Sequence, residues 1–132
     1  MDALLYAALA VSLLWLAYSS YVWWLGHAAI GRSVAELREE LPGIDDPAGA
    51  SLVYFYSEHC PPCRAMTPVI DQLAGERERV FKIDVGARRE VARYFGVRAT
   101  PMTFVVRNGR ITHGLLCAKR RDVLARALDK AG

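Results

Sequence analysis

Cys60-Pro61-Pro62-Cys63 holds two of the chain's three cysteines. Thiols at this spacing suit three uses: ligands of a metal, a small structural staple, or a dithiol that cycles between reduced and oxidised forms. A zinc site ordinarily takes four ligands. The other candidates here, Cys117, His59 and His113, make no second ligand pair, so no metal is expected. A staple closing so short a loop removes little chain entropy. A cycling dithiol is the reading that these residues favour, with Cys60 and Cys63 as its sulfurs and no cofactor beyond them.

The elements around the pair suit that chemistry. "SLVYFY", residues 51–56, is a short β-branched and aromatic run, as a buried strand should be. From Pro62 onward Ala65, Met66, Val69, Ile70 and Leu73 recur at helical spacing. The motif therefore lies between a strand and a helix start. Unpaired amides and a partial positive charge at that start favour a thiolate over a thiol. Pro62 suits the first helical position, where a missing N–H costs nothing. Pro61, preceding a proline, is disfavoured in the helical region, so the helix is expected to begin no earlier than Pro62.

Further along, "RVFKIDV" (79–85) alternates as a strand, and "REVARYFG" (89–96) reads as a helix ending at glycine. "MTFVVRNGRITHGLL" reads as two strands around Asn108-Gly109, a pair that tolerates the positive φ of a tight hairpin. Lys119 to Ala131 places Val123, Leu124, Ala127 and Leu128 on one helical face. The order β-α-β-α-β-β-α implies a parallel crossover followed by an antiparallel hairpin, hence an α/β fold with a mixed sheet flanked by helices.

Ahead of this domain the composition changes. Hydrophobic residues make up 53% of the 132-residue chain, and Ala3 to Ile30 contains no Asp, Glu, Lys or Arg. About 20 apolar residues cross a bilayer as a helix, so residues 3–30 are expected to contact the membrane as a single transmembrane span. Only Met1 and Asp2 precede the run, which fits an uncleaved anchor better than a secretory signal. Tyr18, Tyr21, Trp23 and Trp24 mark one headgroup region. "RSVAELREELPG" follows, with Ser33 and Glu36 at capping-box spacing and Val34, Leu37 and Leu41 on one face, so the expectation is a short amphipathic helix, either separate or continuing the anchor helix past the membrane surface. The organisation read from sequence is thus residues 1–31 anchor, 32–50 amphipathic helix and linker, 51–132 domain. All 17 Lys and Arg lie after Ile30, with all but one of the 14 acidic residues interspersed, and no nucleic-acid footprint emerges.

"LVYFYSEHCPPCRAMTPVIDQLA", "FKIDV" and "YFGVRATPMTFVVRNGRI" together resemble the thioredoxin family, from about Ser51 onward. The resemblance implies a thioredoxin-like fold with its first strand missing. It implies a cis Thr100–Pro101 peptide facing the cysteines, with the backbone there pairing with a substrate chain. It implies Cys60 as nucleophile and Cys63 as the resolving thiol. The chain departs from the family at several positions. Tyr54 stands where a buried Asp usually assists the inner cysteine, and a phenol is a poor base at neutral pH. Lys82 matches that Asp's usual partner. His59 replaces a Trp, and an imidazolium there would favour the Cys60 thiolate. Pro61 replaces a Gly, removing one amide near the Cys60 sulfur and stiffening the loop. Glu58 and Arg64 read as surface charges. Cys117 reads as a small buried hydrophobe, with a regulatory thiol as the sharper alternative.

The function expected is that of a membrane-anchored thiol–disulfide oxidoreductase. Its partners are protein thiols or disulfides and an electron donor or acceptor. The alternative is a non-catalytic thioredoxin-like module that assembles a membrane complex. Single-pass residence in a bacterial inner membrane follows from the same resemblance, which favours a periplasmic domain, whereas Arg32 and Arg38 after the span favour a cytoplasmic one.

Overall fold

A computed structural model describes residues 1–130, so Ala131, expected in the last helix, and Gly132 lie outside the described residues. The elements are α1 (Asp2–His27), β1 (Ser51–Tyr56), α2 (Pro61–Glu76), β2 (Val80–Asp84), α3 (Arg89–Tyr94), β3 (Met102–Arg107), β4 (Arg110–Leu116) and α4 (Arg121–Lys130). The fold is thioredoxin-like, α/β with a mixed sheet. The strands lie in the order β2-β1-β3-β4. β1 and β2 are parallel, with Leu52 opposite Val80, and β3 runs antiparallel to both β1 and β4. Asn108 (φ 53°) and Gly109 (φ 72°) make the hairpin turn, the positive φ values that Asn-Gly supplies at low cost.

Alternation along the strands divides the core into two layers. Val53, Phe55, Phe104 and Val106 point to one face, where Val91, Ala92 and Phe95 of α3 and its C-cap cover them. Leu52, Tyr54 and Val105 point to the other, under Met66, Ile70 and Leu73 of α2 and Leu124 and Leu128 of α4. Strand period 2 thus meets helix period 3.6 on both sides.

The stretch after α1 corrects the sequence reading. Instead of an amphipathic helix, Ser33–Leu41 contains a single 3₁₀ turn, Ala35–Leu37. The Ser33 hydroxyl accepts from the Ala35 amide, and Ser33 forms a β-bridge with Arg110. Val34, Leu37, Leu41 and Ile44 are all buried in the α3-side core. Successive turns, rather than one helical stripe, deliver each apolar side chain, because the segment must also pair with the β4 edge. Tertiary contact overrides local propensity here.

α1 itself remains uncovered over most of its length. Of its 26 residues only Leu25 and Gly26 are buried. It is long and apolar enough to cross a membrane, with mean hydropathy 1.7 over its most apolar window and none of that window covered by the domain.

Candidate active site

Three segments meet at one end of the sheet. β1 ends at Tyr56 and leads through Ser57–His59 to Cys60, the N-cap of α2. The β1–β3 register pairs Phe55 with Met102, so Pro101 falls level with Tyr56. The Thr100–Pro101 peptide is cis. At the end of β4, the Cys117 amide donates to the Pro101 carbonyl at 3.0 Å.

Cys60 and Cys63 are joined by a disulfide, with Cα atoms 5.2 Å apart. Cys60 keeps 8% of its surface exposed and Cys63 1%, so an approaching group meets Cys60 first, though Cys60 is itself largely buried and not at an open helix tip. The Cys63 amide donates to the Cys60 sulfur at 3.3 Å. In the reduced form the same amide, together with the helix terminus, would stabilise a Cys60 thiolate. α2 begins at Pro61, one residue earlier than expected. Both prolines occupy the first turn, where neither missing N–H is needed, and the restriction that Pro62 places on Pro61 is a bias, not a ban.

Tyr54 is fully buried beneath the inner cysteine. Its hydroxyl donates to the Cys63 carbonyl at 3.1 Å and lies 3.2 Å from the Thr67 hydroxyl. Thr67 in turn donates to the same carbonyl at 2.8 Å. Burial, the largest influence, pushes the Tyr54 phenol above its ordinary value. It therefore holds the Cys63 backbone as a neutral hydrogen-bond donor. Thr67 went unnoticed in the sequence; its only signal is its position one helical turn after Cys63. Opposite Tyr54 in the register, Thr103 is buried with no hydrogen-bond partner for its hydroxyl among the described residues.

Lys82 does not turn to Tyr54. It pairs with Asp71 of α2 at 2.8 Å, and that hydrogen bond raises its pKa. His59 is exposed, its amide donating to Ser57 Oγ at 3.4 Å. Arg64 and Glu58 are exposed as well, and with Tyr56, Thr67 and Pro68 they border a hollow of about 340 Å³ that reaches Cys63 from the side. Cys117, read as buried, is instead an exposed free thiol at φ 68°. The left-handed turn that ends β4 points its side chain outward.

Comparisons with known proteins agree with this geometry. The sequence model of the thioredoxin family matches residues 38–130, starting inside the stretch expected to be a linker. A thioredoxin of Chlamydia muridarum is 33% identical over 85 residues, 63% of this chain and 83% of that protein. A thioredoxin of Chlorobaculum thiosulfatiphilum is 29% identical over 90 residues, 66% of this chain and 83% of its own length. Among solved structures, a mutant thioredoxin from Halobacterium salinarum NRC-1 superposes with a TM-score of 0.59 at 27% identity, over 66% of this chain and 80% of that one.

Proposed function

This chain belongs to the thioredoxin family, and from that premise we propose that it is a membrane-anchored oxidoreductase that exchanges disulfides with partner proteins through Cys60 and Cys63. The observation that carries the reading is the Cys60–Cys63 pair at disulfide distance on a helix start, one sulfur more accessible than the other. In the reducing direction the Cys60 thiolate attacks a partner disulfide, forms a Cys60–partner disulfide and releases one partner thiolate. The Cys63 thiolate then attacks the Cys60 sulfur, releases the second partner thiolate and closes the Cys60–Cys63 disulfide. Two electrons pass to the partner, and a dithiol donor returns them. The reverse sequence oxidises a partner dithiol. No further cofactor enters either direction.

Thr100 and Pro101 are the proposed substrate-binding residues, supported by their position level with the end of β1. Pro61, Pro62, His59 and Tyr54 shape the environment of the sulfurs. Lys82 acts at most through Asp71. α1 is the proposed single membrane span, held in a bacterial inner membrane, supported by its length, its hydropathy and its lack of cover.

The test is direct. Cys60→Ser should abolish exchange with glutathione disulfide and with protein disulfides, and Cys63→Ser should accumulate Cys60–partner adducts. Full activity in a Cys60→Ser, Cys63→Ser double variant would overturn the enzyme reading in favour of an assembly module. Cys117, exposed and free, reports the membrane side: an impermeant thiol reagent labels it in intact cells if the domain is periplasmic, and only after lysis if it is cytoplasmic.

A further inference from the structure

α1 does not hang from the domain on a loose tether. Its last turn is seated on β4. Leu25 and Gly26 are buried, and a Cβ on Gly114 would run into the Gly26 carbonyl oxygen, so the missing side chain at Gly114 lets helix and strand backbones touch, while a Cβ on Gly26 would make only an ordinary contact. The chain then follows the free edge of β4. The Gly31 amide donates to the Ile111 carbonyl at 2.7 Å, Ile111 to Arg32 at 3.0 Å, and Val34 to Gly109 at 2.8 Å. The contacts are ordered: Gly26 with Gly114, Gly31 with Ile111, Val34 with Gly109. Each step back toward the N-terminus is a step toward Cys117, which is bonded to Pro101. Trp24 continues the series. The Arg98 guanidinium, in the loop that holds Thr100 and Pro101, lies 5.6 Å from the Trp24 ring centroid. α1 therefore leaves the domain at the cis-proline end, away from the Asn108-Gly109 turn.

We propose that the redox face is turned toward the bilayer and that the disulfide it exchanges belongs to a membrane-embedded protein, presented in the headgroup layer. This rests on the anchored-oxidoreductase reading above. Tyr21, Trp23 and Trp24 end the apolar run where amphipathic rings prefer the headgroups. With Trp24 at that depth, the Arg98–Pro101 loop beside it sits at nearly the same height. A folded soluble protein would have to wedge between domain and lipid to reach that loop. A segment rising from within the bilayer would not. The charges agree. Arg64, Arg98 and Lys119, on the segments that meet here, form no ion pair among the described residues, against Glu58 on the Cys60 loop and Asp84, which lines the hollow beside that loop. Arg64 and Lys119 remain free to face anionic headgroups, and Arg98 lies over Trp24 at the same level.

The test uses the full chain in vesicles of phosphatidylethanolamine and phosphatidylglycerol. A spin label is placed on Cys60 in a Cys63→Ser, Cys117→Ser background, or on Asn108→Cys with all three native cysteines replaced. Nickel chelated to lipid headgroups should relax the Cys60 label several-fold more than the Asn108→Cys label. Equal relaxation, or the reverse order, overturns the orientation. Gly114→Leu should erase the difference while leaving exchange with glutathione disulfide in detergent unchanged; Trp24→Ala, gentler on folding, should reduce it. For the partner class, one disulfide peptide is attached to lipid through a short spacer or through one longer than the domain is tall. The short spacer should exchange about tenfold faster or more. A faster long spacer overturns the proposal while glutathione disulfide still reacts. No exchange with peptides or glutathione disulfide overturns the underlying redox reading as well.

Discussion

The two faces of the sheet are covered by different means. On one, α2 and α4 are regular helices whose buried residues return every three or four positions. On the other, α3 shares the cover with Ala29–Ile44, a run of turns that holds one 3₁₀ element. The helical face carries the redox pair, because a helix start is what a reactive sulfur needs. The irregular face carries the connection to α1, because a chain that must leave a long apolar helix, pair with a strand edge and bury five apolar residues has no room for a helix of its own. The lesson is that irregular backbone can be as fully part of a core as a helix.

That equality is open to attack, and the largest effect comes first. Leu37→Ala on the irregular face should cost about 2–5 kcal/mol, like a Leu73→Ala change beneath α2. Chemical denaturation of the two variants side by side measures both. A cost below about 0.5 kcal/mol for Leu37→Ala, the usual range for surface sites, would return residues 32–50 to the status of a linker.

A smaller effect separates the faces by pH. Tyr54→Phe removes the hydroxyl that ties β1 to the Cys63 carbonyl, at a cost of about 0.5–1.5 kcal/mol at neutral pH. The buried phenol has a folded pKa above its unfolded value, with Lys82, Tyr56 and Asp71 as the titratable groups around it. Ionising it therefore favours the unfolded chain. Its contribution is complete below about pH 10 and is lost as pH rises through the folded value. Wild type should lose stability along that alkaline limb, and Tyr54→Phe should lose less. Parallel limbs would assign the alkaline loss to other groups.

The smallest effect concerns Lys82. Its pair with Asp71 is partly exposed, so Asp71→Asn should shift stability by about 0–1 kcal/mol and leave exchange rates within experimental scatter. A tenfold loss of exchange would make the pair part of the redox machinery.

How far sequence reached follows the same division. The strand–CPPC–helix unit, the alternating strands and the Asn-Gly hairpin were legible because each is a local pattern: a period, a turn residue, a motif. Residues 31–44 were not, since their conformation is fixed by bonds to β4 and by Tyr94, whose hydroxyl donates to the Ser33 carbonyl. Local signals at Ser33 and Glu36 pointed to a helix that those distant partners forbid. At the candidate site, the cysteines and Pro101 were visible in the sequence. Thr67, the Trp24–Arg98 stack and the outward turn of Cys117 depend on which segments meet in space, and no spacing encodes that.

Among the described residues no strand lies beyond β2, and this leaves a lasting mark on the sheet. One border, at β4, is occupied by Gly31–Val34, while β2 forms the other border. β2 is only five residues long and has Lys82 exposed at its centre. Brevity and a charge at an unpaired border discourage a strand of another molecule from adding on. A border strand this short, with a charge at its centre, is thus a poor template for fibrous growth of the sheet.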